Sequence, residues 1–214
     1  MAIIVESPYR CTFIHSPKNG GNSIAKWLLN NMHHAAVTKR KQHATVQTVI
    51  NGGHSLGPIN YADLGLIYGV VRNPWSFAVS WYTFKIGLCE LYIKNMEDNP
   101  NLIGKTHSHK FNWEYNHQRL KDLHAMGFLG WLKKTNVRPQ IYWAKDYHYV
   151  MRLETLDTDF KFIQHKLGCY APLTRENVTP RKKHWKEYYT EQEAIDLVAT
   201  KYKEDVMAFG YDFG

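Results

Sequence analysis

The sequence predicts one α/β domain with a mostly parallel central sheet flanked by helices. Three observations lead there. Short runs rich in β-branched and aromatic residues alternate with stretches of helical periodicity, the pattern of strands joined by helical crossovers. The 214 residues suit a single domain over 1–214, and no linker, repeat or low-complexity tract divides them. Apolar residues make up 44% and charged residues 21%, which is the balance of a folded chain and excludes a disordered one.

The first expected strand is Arg10 to His15, RCTFIH. A turn with Pro17, Gly20 and Gly21 leads into a helix from Asn22 to Met32, where Ile24, Trp27 and Leu28 share a face. A second strand, Leu66 to Val71, ends at Arg72, and Pro74 starts a helix over Trp75 to Phe84. The polar, His-rich, weakly periodic stretch from Gly87 to Asn116 reads as a long variable loop or lid. Leu120 to Lys134 is expected to be helical and Tyr149 to Leu153 to be a third strand. The helix Leu156 to Leu167 stops at Gly168, and a last helix, Glu191 to Phe209, stops at Gly210. Ligands of such sheets bind beyond the carboxyl ends of the strands, where both motifs below lie.

No apolar run approaches the length of a membrane span, and Met1 to Pro8 lacks the basic start of a signal peptide, so a cytoplasmic address is expected. The three cysteines, Cys11, Cys89 and Cys169, are widely separated, which argues against a disulfide framework or a Cys-rich metal site. His33-His34 and His107-Ser108-His109 lack the cysteine or carboxylate neighbours of a zinc site. A net charge of +8 favours anionic partners without choosing among nucleotide, nucleic acid and acidic glycan.

Two segments carry chemistry. His15-Ser16-Pro17-Lys18-Asn19-Gly20-Gly21-Asn22-Ser23-Ile24 leaves a strand and enters a helix. It offers glycines for close backbone approach, a helix N-terminus, a hydroxyl and a lysine, the parts that hold a phosphate-like group. A nucleotide-kinase loop sets its lysine after the last glycine, whereas Lys18 precedes both. In the second segment, Arg72-Asn73-Pro74 at a strand end is followed by Ser80 about two helical turns on, and an arginine fork with a hydroxyl suits a terminal phosphate.

The first segment resembles the 5'-phosphosulfate loop of sulfotransferases that use 3'-phosphoadenosine 5'-phosphosulfate (PAPS), especially the carbohydrate-type branch with its H-x-P-K-T-G-G-T-S pattern. Pro17, Lys18, Gly20, Gly21 and Ser23 match, while Asn19 and Asn22 replace threonines. The second segment is similar to the 3'-phosphate motif R-x-P-x(5)-S-x-Y, and Val150 to Phe160 to V-x-R-x-E-x-L-x-x-D-F, with Asp159 and Phe160 in place. Pro139-Gln140, Tyr188-Tyr189, Asp205, Phe209-Gly210-Tyr211 and Phe213 also look like that branch, so the resemblance spans most of the chain.

The resemblance implies a P-loop-like sulfotransferase fold and transfer of the sulfuryl group of PAPS to a hydroxyl, leaving adenosine 3',5'-bisphosphate, with no metal. A carbohydrate acceptor is the branch's implication, with a lipid or small alcohol left open; neither nucleic acid nor membrane is expected as a partner. Lys18 would stabilise the leaving oxygen, and backbone amides of Asn19, Gly20, Gly21, Asn22 and Ser23 would hold the sulfuryl and 5'-phosphate oxygens. Arg72 and Ser80 would hold the 3'-phosphate, with Arg181 or Lys182 closing over it or forming a solvated run. His54, in Gly52-Gly53-His54-Ser55-Leu56, is the expected base. Glu114 and Glu154 are carboxylate alternatives, with Glu154, which follows a strand, better suited to supporting Arg152 or the sheet; most of the aromatic residues read as core, with Trp113 or Trp143 as candidates to line a sugar or aromatic acceptor. Two readings compete: a P-loop kinase, which needs ATP and magnesium, and a non-catalytic glycan- or nucleic-acid-binding module.

Overall fold

Five strands form one sheet: β1 (Ala2–Val5), β2 (Cys11–Ile14), β3 (Ala35–Val37), β4 (Leu66–Val71) and β5 (Tyr149–Arg152). Their spatial order is β3-β1-β2-β4-β5. The computed structural model describes residues 1–6, 9–33, 35–37, 43–52, 57–104, 108–176 and 183–214. β2 pairs parallel with β4, with Phe13 opposite Tyr68, and β4 pairs parallel with β5, with Val70 opposite Met151. β1 runs antiparallel to both β2 and β3. The three parallel strands are the three the sequence predicts; β1 and β3 are additional. All four residues of β1 are buried, so its Ala-Ile-Ile-Val run shows no alternation, and β3 is only three residues long.

The helices are α1 (Gly21–Asn31), α2 (Val46–Ile50), α3 (Pro74–Asp98), α4 (Trp113–Lys134), α5 (Ile141–Ala144), α6 (Leu156–Leu167), α7 (Gln192–Lys201) and α8 (Lys203–Phe209). The expected loop over 87–116 is corrected here, because α3 continues to Asp98 and α4 already begins at Trp113. Cys89, Ile93 and Met96 form the buried stripe of that extension at helical spacing. Leu91, on another face, is 53% exposed, and apolar residues on several faces blur the periodicity. The single final helix of the sequence reading is two, broken at Tyr202 (φ −114°, ψ 28°).

The pleat divides the core. Ile3, Val5, Phe13, Tyr68, Val70 and Met151 face α1 and α6, where Trp27 and Phe160 meet edge to face at 5.0 Å. Burying one such aromatic side chain contributes about 2–3 kcal/mol. Ala2, Ile4, Ile14 and Ile67 face α2 on the opposite side. α3, α4 and α7 enclose a separate cluster around Phe77, Leu132, Val198 and Tyr202. Among the described residues no helix is long and apolar enough to cross a membrane. Because β2, β4 and β5 are parallel, the segments after Ile14, Val71 and Arg152 leave one edge of the sheet.

Candidate functional site

The loop after β2 is tied to the end of β4. The Ser16 hydroxyl donates to the Val70 carbonyl at 2.9 Å, and Asn19 Nδ2 donates to the same carbonyl at 2.9 Å and to Ser16 Oγ at 3.0 Å. The Asn19 side chain is therefore buried in the scaffold, its Nδ2 spent on holding the loop. Lys18 (φ 63°) and Gly20 (φ 71°) adopt the left-handed conformation. For a lysine this costs about 1–2 kcal/mol, strain of the kind that collects at ligand loops. Gly21 backs onto the His15 ring, which leaves no room for a Cβ. Glycine at both positions thus lets the chain turn tightly into α1, whose N-cap, Gly20, has no side chain to cover the first-turn N–H groups.

Arg72, at the end of β4, is 7% exposed. Its Nε donates to Ser76 Oγ at 2.8 Å, and its Nη1 reaches the Lys18 carbonyl at 3.4 Å. Its peptide is clamped by one carboxamide: Arg72 N–H donates to Gln140 Oε1 at 2.8 Å, and Gln140 Nε2 donates to the Arg72 carbonyl at 2.7 Å. Asp205 Oδ2 in turn accepts from Gln140 N–H at 2.7 Å, and Asp205 Oδ1 accepts from Ile141 N–H at 2.8 Å. Burial pushes the Asp205 carboxyl up, and these two backbone donors oppose the shift.

The start of α3 is already filled. Asn73 Oδ1 accepts from the N–H groups of Trp75 and Ser76. Glu154 accepts from Asn73 N–H at 2.9 Å and from the Tyr211 hydroxyl at 2.9 Å. Glu154 thus supports Asn73 and Tyr211, while Arg152 is held through Nη2 by the Phe209 carbonyl at 2.7 Å. Ser76, Ser80 and Phe84 follow at i, i+4 and i+8 along one side of α3. The Lys18 ammonium sits 4.0 Å from the centre of the Phe84 ring, which brings it to the helix side that carries Ser80.

Lys18, the Asn19–Ser23 backbone and Arg72 are therefore gathered at one edge of the sheet, and Ser80 lies on the side of α3 that carries Phe84, the ring beside the Lys18 ammonium. The Ser23 hydroxyl accepts from Glu176 N–H at 2.9 Å, tying the segment after α6 to α1. His54, Arg181 and Lys182 lie outside the described residues. Ser76, Gln140, Asp205 and His43 were not read as site or supporting residues from sequence. Ser76 has a signal, standing four residues after Arg72 on a helix beginning there; Gln140 and Asp205 enter the sequence reading only through the resemblance, with no role implied, and nothing near His43 in the chain marks it.

A cavity of about 370 Å³ opens beside Pro17 and is lined also by His43, Trp81, Lys85, Arg138 and Trp143. Trp113 and Glu114 line a separate hollow of about 280 Å³ with Met96 and Ile103. His15 and His43 stand edge to face at 5.1 Å. Burial lowers His15 from 6.5 to about 3, and desolvation also lowers His43, assisted by the Lys18 charge. Among the described residues no group of three His, Cys, Asp or Glu side chains could hold a metal ion.

No protein-family model, curated protein or solved structure matches this chain.

Proposed function

We propose that the chain is a sulfotransferase with a P-loop-like fold, moving the sulfuryl group of PAPS to a hydroxyl, with a carbohydrate as the preferred acceptor. The observation that carries this reading is the approach of the Arg72 guanidinium to the Lys18 loop at 3.4 Å, joining two motifs 54 residues apart. A nucleotide phosphorylated on both the 3' and 5' oxygens of its ribose needs two anion sites close together, and the contact between the two motifs supports reading them as that pair. The uncapped start of α1 and the Lys18 ammonium suit the phosphosulfate, while Arg72 and Ser80 suit the 3'-phosphate.

In the reaction the acceptor oxygen attacks sulfur, the bond from sulfur to the bridging oxygen breaks, and its electron pair leaves on the 5'-phosphate. Lys18 offsets that charge, and a base takes the acceptor proton. The resemblance assigns that base to His54. Lysine ahead of the glycines favours this reading over a kinase, whose lysine follows them.

Calorimetry with adenosine 3',5'-bisphosphate and with ATP, with and without magnesium, tests the reading. The bisphosphate is expected to bind more tightly, without magnesium, and Lys18→Ala to weaken it. Equal or tighter ATP binding that requires magnesium would move the assignment to a kinase.

A further inference from the structure

The cavity beside Pro17 differs in character from the anion-binding backbone next to it. Its cations are Lys85 and Arg138, and none of its lining residues is acidic. Lys85 Nζ lies 5.5 Å from the centre of the Trp81 ring, and the Arg138 guanidinium lies 4.3 Å from that of Tyr142. Among the described residues neither is in an ion pair with a carboxylate. Both cations are thus held on aromatic faces. Burial and the nearby Arg119 charge lower the Lys85 ammonium, a cost that a bound anion relieves. Trp81 and Trp143 add flat apolar surface of the kind that stacks on a sugar ring.

His43 joins this cavity to the Lys18 loop. Its Nδ1 lies 3.0 Å from the His15 carbonyl oxygen. A carbonyl only accepts, so Nδ1 carries the hydrogen and Nε2 of the neutral ring keeps its lone pair. The titratable and charged groups around the ring are His15 at the end of β2, Lys18 in the loop, Lys85 on α3 and Arg138 ahead of α5, together with the chain's amino group. Burial, the amino group and the Lys18 ammonium lower His43, so the resting ring is neutral with its Nε2 lone pair in place, and the hydrogen bond to the His15 carbonyl opposes that shift and favours the imidazolium.

Resting on the sulfotransferase reading, we propose that this cavity is the acceptor site for an anionic sugar, with Lys85 and Arg138 binding the acid group and His43 Nε2, in place of the His54 that the resemblance implies, taking the hydroxyl proton. The transferred proton leaves the acceptor as its oxygen bonds to sulfur, and the ring becomes imidazolium.

Methyl β-D-glucuronide and methyl β-D-glucoside differ only at the acid group, so their titration by ligand-observed NMR, with and without adenosine 3',5'-bisphosphate, isolates it. The glucuronide is expected to bind more tightly to the wild type, and Lys85→Ala with Arg138→Ala to weaken it by roughly tenfold or more. Equal binding of the two glycosides, no binding of the glucuronide, or no effect of the double variant overturns the site. The ring nitrogens of His43 give a second readout that needs no ligand. The hydrogen is expected on Nδ1, with titration below the ordinary histidine value, and a neutral ring protonated on Nε2 overturns the base assignment. If the bisphosphate does not bind while the glucuronide still does, the donor reading fails and the anionic-sugar site survives.

Discussion

The carboxamide of Gln140 pairs with both the N–H and the carbonyl of Arg72, at 2.8 and 2.7 Å, and so imitates a neighbouring strand where β4 ends. Gln140 is fully buried, and Asp205 fixes it from behind. The arginine thereby leaves the sheet from a rigid backbone. Gln140→Leu strands two buried peptide groups and is expected to cost about 2–5 kcal/mol in denaturant unfolding. Bisphosphate affinity should fall with it; unchanged stability would show that the clamp is not needed.

Asn19 acts inside the scaffold. Asn19→Ala removes both Nδ2 hydrogen bonds that tie the loop to Ser16 and Val70. A loss of about 1–3 kcal/mol is expected, with weaker bisphosphate binding. Asn19→Asp, which keeps the shape but loses the donor, should behave as badly in thermal unfolding.

The burial of His15 makes the fold sensitive to acid. Unfolded, the ring takes a proton near 6.5; folded, it does so only at about 3. Between those values the unfolded chain binds the extra proton, so stability falls as pH falls, by up to about 1.4 kcal/mol per pH unit. Urea unfolding followed from pH 7 to pH 4 should show this slope, and His15→Leu should flatten it. An unaltered slope in the variant would assign the acid sensitivity elsewhere.

Glu154 is bound to Asn73 N–H and the Tyr211 hydroxyl, a supporting role. Glu154→Gln is expected to leave bisphosphate affinity within about twofold, because Gln keeps one acceptor, while Glu154→Leu lowers stability by about 1–3 kcal/mol. A loss of affinity in Glu154→Gln at unchanged stability would instead put the carboxylate in the site.

The three parallel strands and the glycine loop were legible because each pairs a short apolar run with a local chain signal: Pro17, Gly20 and Gly21 after β2, Pro74 after β4. The extension of α3 was not, since Leu88 and Leu91 place apolar side chains away from the Cys89, Ile93 and Met96 stripe. The Arg72, Gln140 and Asp205 network was beyond reach for another reason. Its members are 68 and 65 residues apart, and buried amide pairing has no local periodicity. His43 likewise acquires its tautomer from a carbonyl 28 residues away.

The most direct test of the central claim is calorimetric comparison of adenosine 3',5'-bisphosphate with adenosine 5'-monophosphate, for the wild type, Arg72→Lys and Arg72→Ala. If Arg72 holds the 3'-phosphate, the wild type prefers the bisphosphate by roughly tenfold or more, and both variants shrink that preference while still binding the monophosphate. A wild type that binds the two nucleotides equally, or a preference untouched in folded Arg72→Lys, contradicts the sulfotransferase assignment.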